Sequence, residues 1–356
     1  MKRRQVLAGG AALCASTVFG RNLQPMRDSK LYVPPEESPH KRTFMQWPVS
    51  RRVYRDRIFQ EIIQQTIADI ANTISEFEPV VLLAAEEHHR QVRSVVSNGV
   101  ELWDIPTDDL WCRDSGPLFA KDSDGKLVIS HLQFNGWGDK QTHSNDAQIA
   151  AHISKRLDIP LVSSGLVGEA GGVDHDGHGL LMAHESSWVN DNRNPGLSRA
   201  EIEKRLLSAY GAQTMIWSPG VWDEDITDYH IDSLARFTSA GRVLINLPQT
   251  PDRQDPFHRA ALETYDALLA ADLDVDVISE PEYRRVDDIE FVASYANYYA
   301  CNGGIVAAQF GDAEADERAL EALQQHYPNR EVVSLNVDAL GEVGGGIHCA
   351  TQQMPA

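Results

Sequence analysis

A single α/β domain made of five similar units is the fold class that the sequence predicts, and three observations predict it. Amphipathic helical stretches alternate with short β-type runs at a regular period, polar residues able to do chemistry recur at one matching point of each unit, and no linker or low-complexity stretch divides the chain. Helices are expected over residues 58–77, 86–97, 145–157, 199–210, 257–271 and 316–326, where apolar residues recur at helical spacing. Each of the last five leads into a β-type run, at 100–103, 160–162, 214–217, 274–278 and 331–335, and then into a loop. Further strands are expected beyond the loops, at 127–132, 180–183, 243–247 and 304–308. One such unit cannot cover its own apolar face, so repeats set around an axis would bury what each leaves open. The same alternation also permits an open α/β sheet.

Composition narrows the class of function. With 356 residues, 42% of them hydrophobic and 24% charged, the chain is long enough for a deep core and reads as an ordinary globular protein. Thirty-two basic against 52 acidic residues give a net charge of -20, a field that repels phosphate backbones and excludes nucleic acid as a partner. Residues 1–20 combine a basic start, an apolar stretch from Val6 to Phe19 and small residues at a plausible cleavage point, the anatomy of a signal peptide. Arg3-Arg4-Gln5-Val6-Leu7 within it resembles a twin-arginine export signal, which implies the Tat machinery as a transient partner and a periplasmic or secreted location. Beyond that segment lie Cys112, Cys301 and Cys349, an odd number without CxxC spacing, so neither a disulfide scaffold nor a zinc knuckle is indicated.

The loops carry the chemistry. They hold Trp111-Cys112-Arg113-Asp114-Ser115-Gly116-Pro117, Glu169-Ala170-Gly171-Gly172, Asp228-Tyr229-His230-Ile231-Asp232, the segment from Asn297 to Asn302, and Gly344-Gly345-Gly346-Ile347-His348-Cys349. Around an axis these loops would converge at one end. Cys349 follows three glycines, which let backbone and substrate approach a thiol closely, and is a candidate nucleophile. His230 and Asp232, two residues apart, would share a face if the segment is extended. A thiol, a histidine and several carboxylates together suit a guanidinium. Carboxylates bind that planar cation in its own plane and leave its carbon open to attack from above. Thiolate addition, proton donation to departing ammonia by His230 and hydrolysis of the resulting thiouronium would yield a ureido compound.

At these residues the chain resembles the agmatine deiminase and bacterial (Porphyromonas-type) peptidylarginine deiminase family of the guanidino-group-modifying superfamily. The likeness runs from Glu37-Ser38-Pro39-His40 and Met45-Gln46-Trp47-Pro48 through the Trp111 motif, Phe134-Asn135-Gly136-Trp137-Gly138 and Asn192-Arg193-Asn194-Pro195 to the Cys349 motif and Ala350-Thr351-Gln352-Gln353-Met354-Pro355. The resemblance implies a five-bladed, pseudo-symmetric α/β propeller of the pentein kind, with residues 30–356 as a guanidine deiminase domain. It makes Cys349 the nucleophile, His230 the catalytic histidine, Asp114 and Asp232 the guanidinium-binding acids, and Glu169 the group that orients His230 or touches the guanidinium. It implies no metal and no organic cofactor, and a small cationic guanidine or an arginine peptide as the substrate. A homo-oligomer is compatible with it.

Trp111, Asn297, Asn302 and Tyr229 are further candidates for substrate contact, and Arg113 is expected to pair with a buried carboxylate. The chain departs from the family pattern at Tyr229, where a glycine commonly precedes the histidine, and at His178, where an acid is usual; both are expected to alter the pocket. Agmatine is the first substrate reading, peptidyl-arginine the second and another small guanidine the third. Three other readings are weaker. Asp174, His175, Asp176, His178 and His184 lack a ligand frame for a metal. A cysteine-protease site would leave Asp114, Asp232 and Glu169 without a role. A non-enzymatic propeller would bind ligands through tryptophans such as Trp47, Trp111 and Trp137, although most tryptophans are core.

Overall fold

The computed structural model describes residues 31–288 and 290–356; the expected signal segment lies outside the described residues. The strands form five separate sheets, each one blade. Blade one holds Leu118–Asp122, Leu127–Gln133 and Leu161–Val167, with the short strand Leu31–Tyr32 added at its inner edge. Blade two holds Val173–His175, Leu180–His184 and Thr214–Ser218, blade three Ala235–Ser239, Arg242–Leu247 and Asp274–Ser279, and blade four Tyr299–Cys301, Gly304–Gln309 and Glu331–Asn336. Blade five combines both ends of the domain: Gln352–Pro355 pairs antiparallel with His40–Gln46, which continues parallel to Val80–Ala84 and Val100–Asp104.

The blades share a plan, to which blade five adds one further parallel strand. An inner strand pairs antiparallel with a middle strand, a helix crosses over, and an outer strand lies parallel to the middle one, as in Ala235–Ser239, Arg242–Leu247 and Asp274–Ser279. The crossover helices are Arg57–Ile74, Ile149–Leu157, Arg199–Tyr210, Pro256–Ala270 and Ala313–His326. Their starts are written locally. Asp56, Ser198, Asp255 and Asp312 each accept backbone N–H bonds at a helix start, and Ser198 forms a reciprocal capping box with Glu201. Apolar side chains fill the space between sheets and helices in four buried clusters. Inner strands of neighbouring blades lie against one another, Val173–His175 against Ala235–Ser239 and Leu118–Asp122 against Gln352–Pro355. The arrangement is the radial one, and the open-sheet alternative falls.

Two expectations need correction. The stretch 86–97 is not one helix but a 3-10 turn, Glu86–His88, followed by the short helix His89–Arg93. Val80–Ala84 is a strand that periodicity does not announce, because all five of its residues are buried and no polar face alternates with the apolar one. In every blade the outer strand leads into the next blade's inner strand through a loop, and those five loops carry the candidate site.

Candidate active site

The loop from Val100–Asp104 to blade one makes a short helical turn, Cys112–Ser115, that delivers Asp114. The Trp137 indole donates to Asp114 Oδ2 at 2.9 Å, and the Gly171 amide to Oδ1 at 3.2 Å. The next loop carries Glu169 and a 3-10 turn, Ala170–Gly172. His230 caps another 3-10 turn, Ile231–Ser233, so His230 and Asp232 do not lie on the extended strand expected of them; the turn still brings both side chains to the same place. His230 Nε2 lies 3.2 Å from Glu169 Oε2, and its Nδ1 lies 3.7 Å from Asp114 Oδ1. Cys349 Sγ lies 3.4 Å from Asp232 Oδ2 and 3.1 Å from Asn297 Nδ2.

Gly171 is where these groups converge. A methyl group on its Cα would lie 2.6 Å from Asp114 Oδ1, 2.9 Å from His230 Nδ1 and 3.2 Å from Asp232 Oδ2. Gly345 and Gly346 serve the nucleophile's loop in a related way, because a Cβ there would run into the Trp111 ring and the Asn297 amide. Trp111 therefore lies close against the thiol's loop. Asn297 holds that loop, accepting from the His348 amide at 3.0 Å while its Nδ2 donates to Sγ.

The electrostatics follow from burial and sign. Burial pushes the Asp114 carboxyl up to about 6, against the pull of His230. For His230 burial would favour the neutral ring, but the negative charges of Asp114, Glu169 and Asp232 win and raise it to about 9. Burial, then the charges of Asp232 and Asp114, hold the Cys349 thiol well above its ordinary value. Glu169 and Asp232 go the other way. Burial opposes their ionisation, but Arg193 with His230 keeps Glu169 low, and His348 with His230 and Arg236 keeps Asp232 low. Around neutral pH these side chains are thus a thiol, an imidazolium and carboxylates.

Several residues have no assigned role in the motifs yet sit behind this site. Arg193 grips Glu169 with Nε at 3.0 and 2.9 Å from its two oxygens and reaches Asp228 Oδ2 with Nη1 at 2.6 Å; Lys140 Nζ lies 2.8 Å from Asp228 Oδ1. Arg113 pairs with Glu36 at 2.8 Å. The signal for Arg193, Trp137 and Gly171 is their place in quoted motifs, without a role attached; Glu36 becomes meaningful only through distant contacts.

Two expected substrate contacts, Asn302 and Tyr229, and the departure at His178 lie elsewhere. Asn302 is taken up by the His40 backbone, accepting from its amide at 2.9 Å and donating to its carbonyl at 2.8 Å, and so ties blade four to blade five. The Tyr229 ring turns away from His230 to stack on His184 with centroids 4.7 Å apart. His178 is exposed on the turn between Val173–His175 and Leu180–His184, at the far end of the inner strand from Glu169. The same hairpin scatters the acid and histidine side chains around it: Asp174 accepts from the Phe237 amide, whereas His184 binds the Tyr229 carbonyl. Cys112 is buried in the core, with its thiol pushed up by burial.

The model of the Porphyromonas-type peptidyl-arginine deiminase family matches residues 32–355. A Streptomyces coelicolor protein provisionally named agmatine deiminase is 33% identical over 334 residues, covering 91% of this chain and 98% of its own. A Legionella pneumophila protein with the same provisional name is 30% identical over 332 residues, covering 91% and 94%. The solved agmatine deiminase of Enterococcus faecalis superposes with a TM-score of 0.84 at 26% identity, covering 92% of this chain and 97% of its own.

Proposed function

Since the chain belongs to the Porphyromonas-type peptidyl-arginine deiminase family and is a hydrolase of amidine C–N bonds acting on guanidino groups, we propose that its substrate is agmatine and that the reaction runs through a covalent thiouronium on Cys349. The observation that carries the reading is the convergence of Asp114, His230 and Asp232 on the bare Cα of Gly171, beside the thiol. Asp114 and Asp232 grip the guanidinium nitrogens, and the cation offsets the negative charge that keeps the thiol protonated. The thiol's proton leaves to solvent and Sγ adds to the guanidinium carbon. His230 then protonates one amino group, C–N cleavage releases ammonia, and the neutral imidazole takes a proton from water as it attacks the thiouronium. Collapse breaks the C–S bond while the adduct's hydroxyl proton passes to the departing sulfur, which frees N-carbamoylputrescine and restores the thiol.

The choice of agmatine over free arginine rests on charge. Four cations behind the site are each held by a carboxylate: Arg113 and Arg236 by Glu36, Arg193 by Glu169 and Lys140 by Asp228. None is left to bind an α-carboxylate, which agmatine lacks. The thiol's burial, at 8% exposure, suits a slender substrate better than a polypeptide. Parallel ammonia and ureido assays with agmatine, free arginine and an arginine peptide test this. Agmatine is expected to be turned over best, with Cys349→Ala inactive toward all three; preference for the peptide would make the enzyme a peptidylarginine deiminase.

We also propose that residues 1–20 direct twin-arginine export, supported by Arg3-Arg4 ahead of an apolar stretch. Cell fractionation should find the protein in the periplasm or medium, and Arg3→Lys with Arg4→Lys should retain it in the cytoplasm.

A further inference from the structure

Behind the reacting groups lies a buried ionic plug that the proposed chemistry does not use. At its centre Glu36 places Oε2 2.8 Å from Arg113 Nη2 and 3.0 Å from His348 Nε2, and Oε1 3.1 Å from Arg236 Nη2 and 2.9 Å from the Ala300 amide. Four segments from different parts of the ring thus fix one carboxylate. His348, the residue before the nucleophile, stands between this anchor and the site. Its Nδ1 lies 2.7 Å from Asp232 Oδ2, so the ring bridges two carboxylates, one at each nitrogen. The bond fixes Oδ2, the oxygen that also faces Sγ, while Asp232 Oδ1 is buried without a hydrogen-bond partner among the described residues. A buried carboxylate oxygen without a partner is costly, and a guanidinium N–H would satisfy it.

We propose, resting on the guanidine deiminase reading, that His348 is a positioning residue for the reaction: anchored on Glu36, it clamps one oxygen of Asp232 and thereby aims the other at the substrate. It also sets the charge felt by the nucleophile. Donation to Asp232 offsets a carboxylate that stands 3.4 Å from Sγ, and losing it would leave that charge to bear on the thiol.

The test uses two amide variants that differ in which ring nitrogen they replace. In His348→Asn the amide stands where Nδ1 was and still reaches Asp232; in His348→Gln it stands where Nε2 was and reaches only Glu36. Agmatine kcat and KM, melting temperature and the rate of iodoacetamide alkylation of Cys349 without substrate are measured for each. His348→Asn is expected to keep kcat/KM within about tenfold of wild type, and His348→Gln to lose about 100-fold, the size of effect that sub-ångström misplacement produces. Alkylation should slow about fivefold or more in His348→Gln and stay within about twofold in His348→Asn, for the charge reason above. Equal kcat/KM in two variants that melt like the wild type, or the reverse order, would overturn the proposal, as would equal alkylation rates. Inertness of the wild type toward every guanidine would sink the deiminase reading alone, because the alkylation ratio decides the positioning claim without any substrate.

Discussion

Gly171 shows how much a single missing side chain contributes here. Asp114 and His230 approach its Cα so closely that a methyl group would fall inside 3.0 Å of both, so Gly171→Ala must displace the proposed guanidinium-binding acid and the proposed proton donor. Such a displacement should cost about 100-fold in kcat/KM while thermal unfolding hardly moves; activity within a few-fold of wild type would show that the acids do not bind substrate there. Tyr229 poses the opposite case. It sits at φ 65°, left-handed territory that costs a non-glycine residue about 1–2 kcal/mol. Stacking on His184 and an edge contact to Phe257 offset that by a similar amount, at about 0.5–1.5 kcal/mol per aromatic pair. A glycine would adopt this conformation without that cost. Tyr229→Gly is therefore expected to change stability by less than about 1 kcal/mol and to leave turnover intact. A large loss of turnover in steady-state assays would put the ring back in the pocket.

At the scale of elements, the loops after the outer strands are held by charge more than by regular structure. Arg193, in the crossover connection of blade two, joins two of them by binding Glu169 and Asp228, and all three side chains are buried. Arg193→Gln would leave Glu169 with only His230 and Asp228 with only Lys140 as charged partners, so urea unfolding should show a loss of about 3 kcal/mol, the low end for breaking a buried pair; a loss below about 1 kcal/mol would mean that water reaches the pair. This ionic layer is what the sequence does not reveal. The crossover helices and outer strands are legible because their apolar spacing is local, and Ser198 with Glu201 or Asp255 with Pro256 even mark helix starts. Cys349, His230, Asp114, Asp232 and Glu169 are legible because they recur at one point of each repeat and match a family motif. Nothing local, however, pairs Glu36 with His348, some 300 residues apart. Local pattern also misjudges Asn302, whose apparent place in a site loop conceals a tie between neighbouring blades.

Across the whole molecule, the closed ring buries five titratable groups in one space, and their coupling predicts the pH response. His230, raised to about 9, contributes stability that is complete below its unfolded value of 6.5 and is lost as pH climbs through 9. Asp114, raised to about 6, works against stability once ionised, so its ionised form persists above 6 only because the rest of the fold holds it. Activity follows a different count of protons. From pH 6 to 9 the free enzyme carries a protonated thiol and an imidazolium, whereas the attacking state needs thiolate with imidazolium, one proton fewer. Since kcat/KM compares the transition state with free enzyme and free substrate, its logarithm should rise by about one per pH unit across that range and level off near 9. Below 6 the slope should steepen, because Asp114 must also lose a proton before it can hold a cation. A profile of kcat/KM for agmatine from pH 5 to 10 decides the matter. A flat line between 6.5 and 8.5 would mean that the thiolate–imidazolium pair already exists before substrate arrives, and the cation would then have no part in making the nucleophile.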